Sequence, residues 1–205
     1  MESDSRRFLS VAALTFALSV VLGLTSGSFL GRFDLASGFI VLLAVIATGI
    51  AADIVGVAAT AAREEPFHAM AADKVPGSRE GIWLVRHADR VAIFTLDIVG
   101  DVTGTVSGGL AAALALRILA THPGWGETLL TTLFMSFAAA LTVGGKAYGK
   151  RFAMRRAHDV VFFVARAAHR IQRTFGWEWM SVGNDRAKRK RSRMREGTVR
   201  RPKKS

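Results

Sequence analysis

The chain has 205 residues, half of them hydrophobic, and carries 28 Lys and Arg against 16 Asp and Glu, a formal net charge of +12. It has no cysteine, which excludes disulfide bonds, thiolate catalysis and cysteine-ligated zinc or iron–sulfur sites. Its apolar runs are long enough to cross a bilayer, so the composition predicts an all-α integral membrane protein.

The apolar runs predict a bundle of about four hydrophobic helices, because a membrane-spanning helix needs about 20 apolar residues. The segment 63–90, between the second and third runs, mixes both charges and contains two prolines. It predicts a short helix and a turn at the membrane surface. The four predicted spans run from about Phe8 to Phe29, Phe39 to Thr60, Val91 to Leu116 and Leu129 to Gly145.

The first 30 residues have a second interpretation, as a cleaved signal peptide. Arg6 and Arg7 resemble its basic start, and the small residues 26–28 resemble a cleavage site. The apolar run is long for a signal peptide, however, and the distribution of charge among the loops fits best with four spans. Retention of the first span is therefore favoured, and cleavage is the alternative.

The basic residues predict the orientation. Cytoplasmic loops carry an excess of Lys and Arg. With four spans, the N-terminus, the segment 63–90 and the basic C-terminus lie on one side, whereas the opposite loops are short and carry few basic residues. We therefore expect a multi-pass protein of the plasma membrane with both termini in the cytoplasm.

Three aspartates fall inside the apolar spans: Asp53 in the second, and Asp97 and Asp101 in the third. A carboxylate at membrane depth costs about 2.5–3.5 kcal/mol and usually faces a cavity, a partner or an ion. Asp53 precedes Thr60, and Asp97 follows Arg90, by seven residues, so both lie roughly 10 Å deep. The acids could share one site for a hard cation such as magnesium, and sodium or a proton would also fit.

The second and third spans each have one face of small and polar residues, because residues three or four apart share a helix face. In lipid, such faces let helix backbones pack closely. The glycine row of the third span is interpreted first as a packing interface. The faces comprise Gly49, Asp53, Gly56 and Thr60 in span two, and Asp97, Asp101 and Thr105 beside Gly100, Gly104 and Gly108 in span three.

Two basic segments follow the membrane domain, which we place at 1–150. Residues 151–181 predict a juxtamembrane amphipathic helix that lies among lipid headgroups or packs on the segment 63–90. Residues 182–205 predict a disordered basic tail whose expected partner is anionic lipid headgroups; nucleic acid, which charge alone would allow, is not favoured. The apolar stripe of the amphipathic helix comprises Val160, Val164, Ala167, Ile171 and Phe175.

The fourth span ends in a short motif of glycines and lysines, GKAYGK, at residues 145–150. It resembles the GExxPK signature that closes the transmembrane domain of the CNNM/CorC (CorB) magnesium transport family. Gly145 and Lys150 match that signature. Lys146 stands where the family has glutamate, and Gly149 stands where it has proline.

Two earlier blocks then follow the order of the family's motifs, so that the resemblance covers roughly residues 39–175. Residues 98–105 are similar to the IGNNLVN motif, with Gly100 matching. Residues 53–60 are similar to the SGSExAxxS motif. The departures are Asp101 and Thr105 at the first and last asparagines, Asp53 at the first serine and Gly56 at the glutamate.

The resemblance implies a homodimer with a magnesium site in each membrane domain, built from oxygen ligands. It implies that Asp53, Gly100, Asp101 and Thr105 contribute to this site. Lys146 could pair with the buried acids or extend to the headgroups, and both alternatives stay open. The family's cytoplasmic CBS domains have no counterpart after span four, so nucleotide regulation within the chain is not expected.

The sequence thus predicts a protein that binds or transports a divalent cation, magnesium or else cobalt. The alternative is a non-transporting membrane scaffold or regulator that binds anionic lipid or a partner through its basic C-terminus. The five histidines form no ligand set, and no phosphate loop, nucleophile elbow or catalytic triad appears, so we do not expect an enzyme. The predicted metal-site residues are Asp53, Asp97, Gly100, Asp101 and Thr105.

Overall fold

The computed structural model describes residues 34–122, 124 and 126–175, together with residues 9, 11–21, 23 and 24. Within these residues the chain is helical and contains no strand, which confirms the all-α prediction. The helices are α1 (Val11–Val21), α2 (Leu35–Ala61), α3 (Glu65–Ala72), α4 (Ser78–Arg86), α5 (Ala88–Ala92), α6 (Gly100–Thr121), α7 (Glu127–Arg155) and α8 (Ala157–Phe175), with a π-helix (Ile93–Val99) between α5 and α6.

Three helical stretches in the described part of the chain are long and apolar enough to cross a membrane: α2, the continuous stretch from α5 to α6, and α7. They correspond to the second, third and fourth predicted spans and extend several of them by a turn or more. In the first predicted span, the described helix α1 has 11 residues, fewer than a bilayer requires. Apart from residues 9, 23 and 24, the rest of that span lies outside the described residues. The predicted tail at 182–205 lies outside them as well.

The third span is not a regular α-helix. Near its start, residues 93–99 form a π-helix, and the Gly100 N–H donates to the carbonyls of Thr95 and Asp97 as the chain returns to the α form. Single π-helical turns are rare and occur frequently at functional sites. This one places an irregular stretch of backbone beside the predicted site.

The chain divides into two compact units, which we call the span unit (residues 1–62 and 88–160) and the hairpin unit (residues 63–87 and 161–205). In the span unit, α2, α6 and α7 all contact one another. Their apolar packing includes a tilted ring contact between Phe39 and Phe134, with centroids 5.7 Å apart. The buried core consists of Leu42, Ile46, Leu110, Ala111, Leu114 and Ala138.

The hairpin unit replaces the single predicted helix and turn with two helices, α3 and α4. They pack through the buried ring of Phe67, which lies against Gly81. The turn before α4 contains Gly77 at φ +92°, where a Cβ would lie 3.1 Å from the backbone N and Cα of Arg166 in α8. Glycine is required there both for the dihedral angle and for this close approach.

Helix α8 turns a different face inward from the predicted apolar stripe. Val161 and Ala165 are buried, whereas Ala167 and Ile171 of that stripe are exposed. The buried face is the one on which the α8 backbone at residues 165 and 166 approaches Gly77 closely. The side chain of Phe175 lies outside the described residues.

Candidate functional site

The strongest candidate for a functional group in the span unit is Asp53 of α2. Its residue surface is only 3% exposed, although it lies within a helix able to span a membrane. Its Oδ2 atom is buried and has no hydrogen-bond partner among the described residues. Lys150 of α7 places its Nζ atom 3.9 Å from this oxygen, which is an ion-pair distance but too long for a hydrogen bond.

Glycines one turn before and one turn after Asp53 bring α2 against the third span. A Cβ on Gly49 would collide with the Thr103 side chain, and one on Gly56 would collide with Thr95 and lie 2.7 Å from Leu96 Cγ. Helices can approach this closely only where side chains are missing. Asp53 shares a helix face with both glycines, so its carboxylate faces the seam between these two spans.

The Gly100 carbonyl, at the junction of the π-helix and α6, accepts two side-chain hydrogen bonds. Lys146 of α7 donates from Nζ at 3.0 Å, and Thr103 donates from Oγ1 at 3.1 Å. A Cβ at Gly100 would lie 3.2 Å from the Lys146 Nζ atom. The absence of a side chain at position 100 therefore gives the ammonium room beside this carbonyl.

Helix α7 reaches the same seam through its own glycines. A Cβ on Gly145 would collide with Ile50 of α2, and one on Gly149 would lie 2.8 Å from Ile54 Cγ1. Lys146 and Lys150 follow these two glycines by one residue each. The close contact of α7 with α2 thus carries both ammonium groups to the seam, where Lys150 reaches Asp53 and Lys146 reaches the Gly100 carbonyl.

The structure does not bring all the predicted site residues together within one chain. Asp53 and Gly100 are buried in the seam, whereas Asp97, Asp101 and Thr105 are exposed on another face of the third span. The Thr105 hydroxyl donates to the Asp101 carbonyl one turn earlier, at 3.0 Å. In the described part of the chain, no three His, Asp or Glu side chains are grouped so as to hold a metal ion.

The glycine row of the third span is also only partly packed within the chain. Gly100 contacts Lys146, but a Cβ on Gly104 or Gly108 would meet no atom within 4 Å. The predicted packing interface along this row is therefore made at Gly100 alone within a single chain. The close contacts of the bundle depend instead on Gly49, Gly56, Gly145 and Gly149.

Two participants were not identified from the sequence: Thr103 and, as the ion-pair partner of Asp53, Lys150. The spacing of four residues between Lys146 and Lys150 was the available signal, because it places both lysines on one face of α7. For Lys146 itself, the structure shows neither predicted alternative. The side chain is partly buried, and its partner is a backbone carbonyl rather than a carboxylate.

The seam therefore combines hard oxygen donors with positive charge from the protein. The Asp53 carboxylate, the Gly100 carbonyl and the Thr103 hydroxyl suit a proton, sodium or magnesium. Lys150 stands beside the buried carboxylate and Lys146 beside the Gly100 carbonyl, so a mobile cation has to enter against existing positive charge. No protein-family model, curated protein or solved structure matches the chain.

Proposed function

We propose that this chain is a multi-pass membrane protein that binds a cation at Asp53, or passes one across the membrane there. The observation that supports this function is the buried Oδ2 atom without a hydrogen bond. An ionised carboxylate in that state is costly inside a membrane. A bound proton or metal cation would offset the cost, and Lys150 at 3.9 Å offsets part of it.

The identity of the cation depends on how many oxygen ligands converge on it. Magnesium, which the resemblance to the CNNM/CorC family favours, needs six ligands and usually keeps several waters. A single carboxylate with a carbonyl and a hydroxyl suits sodium or a proton equally well. We therefore centre the proposal on Asp53 and treat magnesium, sodium and the proton as occupants to be compared.

The exposed acids belong to a second part of the proposal, a homodimer. Asp97 and Asp101 lie within a candidate span and yet face outward, although intramembrane acids usually face protein or a water-filled cavity. A second copy of the chain would cover them and could bring them into a cation site. The same proposal places the protein in the plasma membrane, with both termini on the cytoplasmic side.

The test is thermal unfolding of the detergent-purified protein in series of magnesium, sodium and choline chloride, and across pH. A cation bound only by the folded protein stabilises it by about 2.7 kcal/mol at one hundred times its dissociation constant. We expect a shift specific to one cation, or a dependence on pH alone for a proton, that Asp53→Asn removes.

Two further variants complete this experiment. Asp89→Asn, at an exposed carboxylate of α5, is the matched control and should retain the response. Asp101→Asn distinguishes the two forms of the site, because it should retain the response if Asp53 acts without the exposed acids and lose it if they share the ion. A protein whose stability responds to no cation and to no Asp53-dependent pH change contradicts the proposal.

A non-transporting scaffold is the second candidate, and the two lysine contacts favour it. Lys146 and Lys150 supply positive charge from the chain itself, and a carboxylate paired with a lysine of its own chain needs no external ion. This function predicts that Lys150→Met destabilises the protein while no cation changes its stability. It also predicts that removal of the basic tail, which lies outside the described residues, abolishes recruitment of anionic lipid or a partner.

A further inference from the structure

The position of Lys146 suggests how access to the Asp53 site is controlled. Its ammonium is partly buried and donates to the Gly100 carbonyl rather than extending toward the headgroups. The carbonyl is one of the hard oxygens that a mobile cation would use at this seam. An ammonium carries the same unit charge as sodium and, at 3.0 Å from the oxygen, takes a place that such an ion would need.

Three features show that the local structure accommodates this ammonium. The π-helix ends at Val99, and the missing side chain of the next residue, Gly100, leaves room for Nζ. The Thr103 hydroxyl donates to the same carbonyl, so Lys146 is the second donor on that oxygen. The close contact of Gly145 with Ile50 fixes α7 one residue before the lysine.

One oxygen of the Asp53 carboxylate is nevertheless left without a hydrogen bond within the described part of the chain. Lys150, one turn further along α7, stands 3.9 Å from Asp53 and is half-exposed. The buried Oδ2 atom has no hydrogen-bond partner among the described residues. The seam thus contains a carbonyl engaged by an ammonium and a carboxylate that still has capacity to bind a cation or a proton.

We propose that Lys146 is a tethered cation that competes with the mobile cation for the oxygen ligands around Asp53 and Gly100. The inference rests on the proposed function. Binding of a mobile cation requires the Lys146 ammonium to leave the Gly100 carbonyl, which lowers affinity and makes Lys146 the residue that sets the cation concentration at which the site fills.

The experiment compares the concentrations of sodium or magnesium chloride that give half-maximal thermal stabilisation, with choline chloride to hold ionic strength. Lys146→Met removes the charge and keeps much of the side-chain length. We expect it to lower the half-maximal concentration at least tenfold, with the response still lost when Asp53→Asn is added. Lys146→Arg keeps the charge and should stay within twofold of the wild type.

Two more variants separate the position of the charge from the net charge and from the hydrogen bond. Lys74→Met removes the same charge from an exposed site in the hairpin unit and should leave the half-maximal concentration unchanged, which excludes an effect of net charge. Lys146→Gln keeps a donor for the Gly100 carbonyl without the charge. Lys146→Gln should lower the half-maximal concentration as Lys146→Met does, and it replaces Lys146→Met in the test if that variant fails to fold.

The outcomes separate this inference from the proposed function. If the wild type shows an Asp53-dependent cation response that neither neutral Lys146 variant strengthens, the tethered-cation role is wrong and the proposed function stands. If neither the wild type nor any variant responds to a cation, both are wrong. A response that appears only in the Lys146 variants supports the inference most directly, because the lysine then blocks the site in the native chain.

Discussion

At the scale of residues, the seam around Asp53 is held by glycines that face polar groups of the next helix. Gly49 faces the Thr103 hydroxyl, whose single O–H is shared between the carbonyls of Val99, at 2.8 Å, and Gly100, at 3.1 Å. Thr103 cannot rotate away without losing these bonds. The packing of α2 and the orientation of the Gly100 carbonyl are thereby linked through one side chain.

The exchange Gly49→Ala should therefore destabilise the span unit. The added Cβ collides with Thr103, and overpacking of this kind costs about 1–3 kcal/mol. Gly144→Ala in α7 is the matched control, because a Cβ there meets no atom within 4 Å and alanine favours a helix by up to about 1 kcal/mol. Thermal unfolding of the two variants tests this prediction. Equal stability of Gly49→Ala and Gly144→Ala would mean that α2 does not approach Thr103 so closely.

Residue by residue, the sequence predicted some of this seam and not the rest. Asp53 could be found because a lone acid in an apolar run is conspicuous and helical periodicity places it beside Gly49 and Gly56. Asp97 has the same predicted depth as Asp53 but faces another direction, and depth alone does not determine which face of a span turns inward. That direction depends on packing between helices.

At the scale of elements, the spans were predictable and the π-helix was not. Long apolar runs are sufficient to predict α2 and α7, because bilayer thickness sets the length of a helix. Residues 93–99 contain no proline or glycine that would indicate an irregular turn. The segment 63–90 was harder to predict for another reason. Its second helix, α4, is held by contacts with α8, a helix that is distant in sequence.

The stability of the structure at the start of α3 should depend on pH. Glu64 accepts hydrogen bonds from Arg86 Nε at 2.9 Å and His68 Nε2 at 3.2 Å. Burial raises the pKa of Glu64, but the hydrogen bonds and charges of Arg86 and His68 outweigh it and hold the pKa below its ordinary value. The stabilisation is therefore present above the unfolded pKa of about 4.3 and is lost as the pH falls through the lower folded value.

The variant Glu64→Gln should consequently be less stable than the wild type at pH 7 and approach it at acidic pH. The partners are one third to one half exposed, so solvent screening limits the difference to about 0.2–1 kcal/mol. Asp73→Asn, at an exposed acid that ends α3, is the control. A difference between Glu64→Gln and wild type that is the same from pH 7 to pH 3 would show that these contacts do not form.

At the scale of the whole molecule, the exposed polar face of the third span predicts contact with a second copy of the chain. Because the natural chain has no cysteine, Thr105→Cys introduces a single thiol on that face without removing an acid. We expect it to form a disulfide-linked dimer in membranes under mild oxidation. Val143→Cys, on an exposed apolar face of α7, is the control, and equal cross-linking of both variants, or of neither, argues against this face.

Helix α7 has 29 residues, so at about 1.5 Å per residue it is roughly 44 Å long, against about 30 Å for the hydrocarbon core of a bilayer. A helix of this length is longer than the hydrocarbon core, so part of it extends beyond the core. Lys146, nine residues before the helix ends at Arg155, contacts the seam. A protein or lipid that pulled on the basic end of α7 would apply force directly to the bond between Lys146 and Gly100, with no intervening loop to absorb the movement.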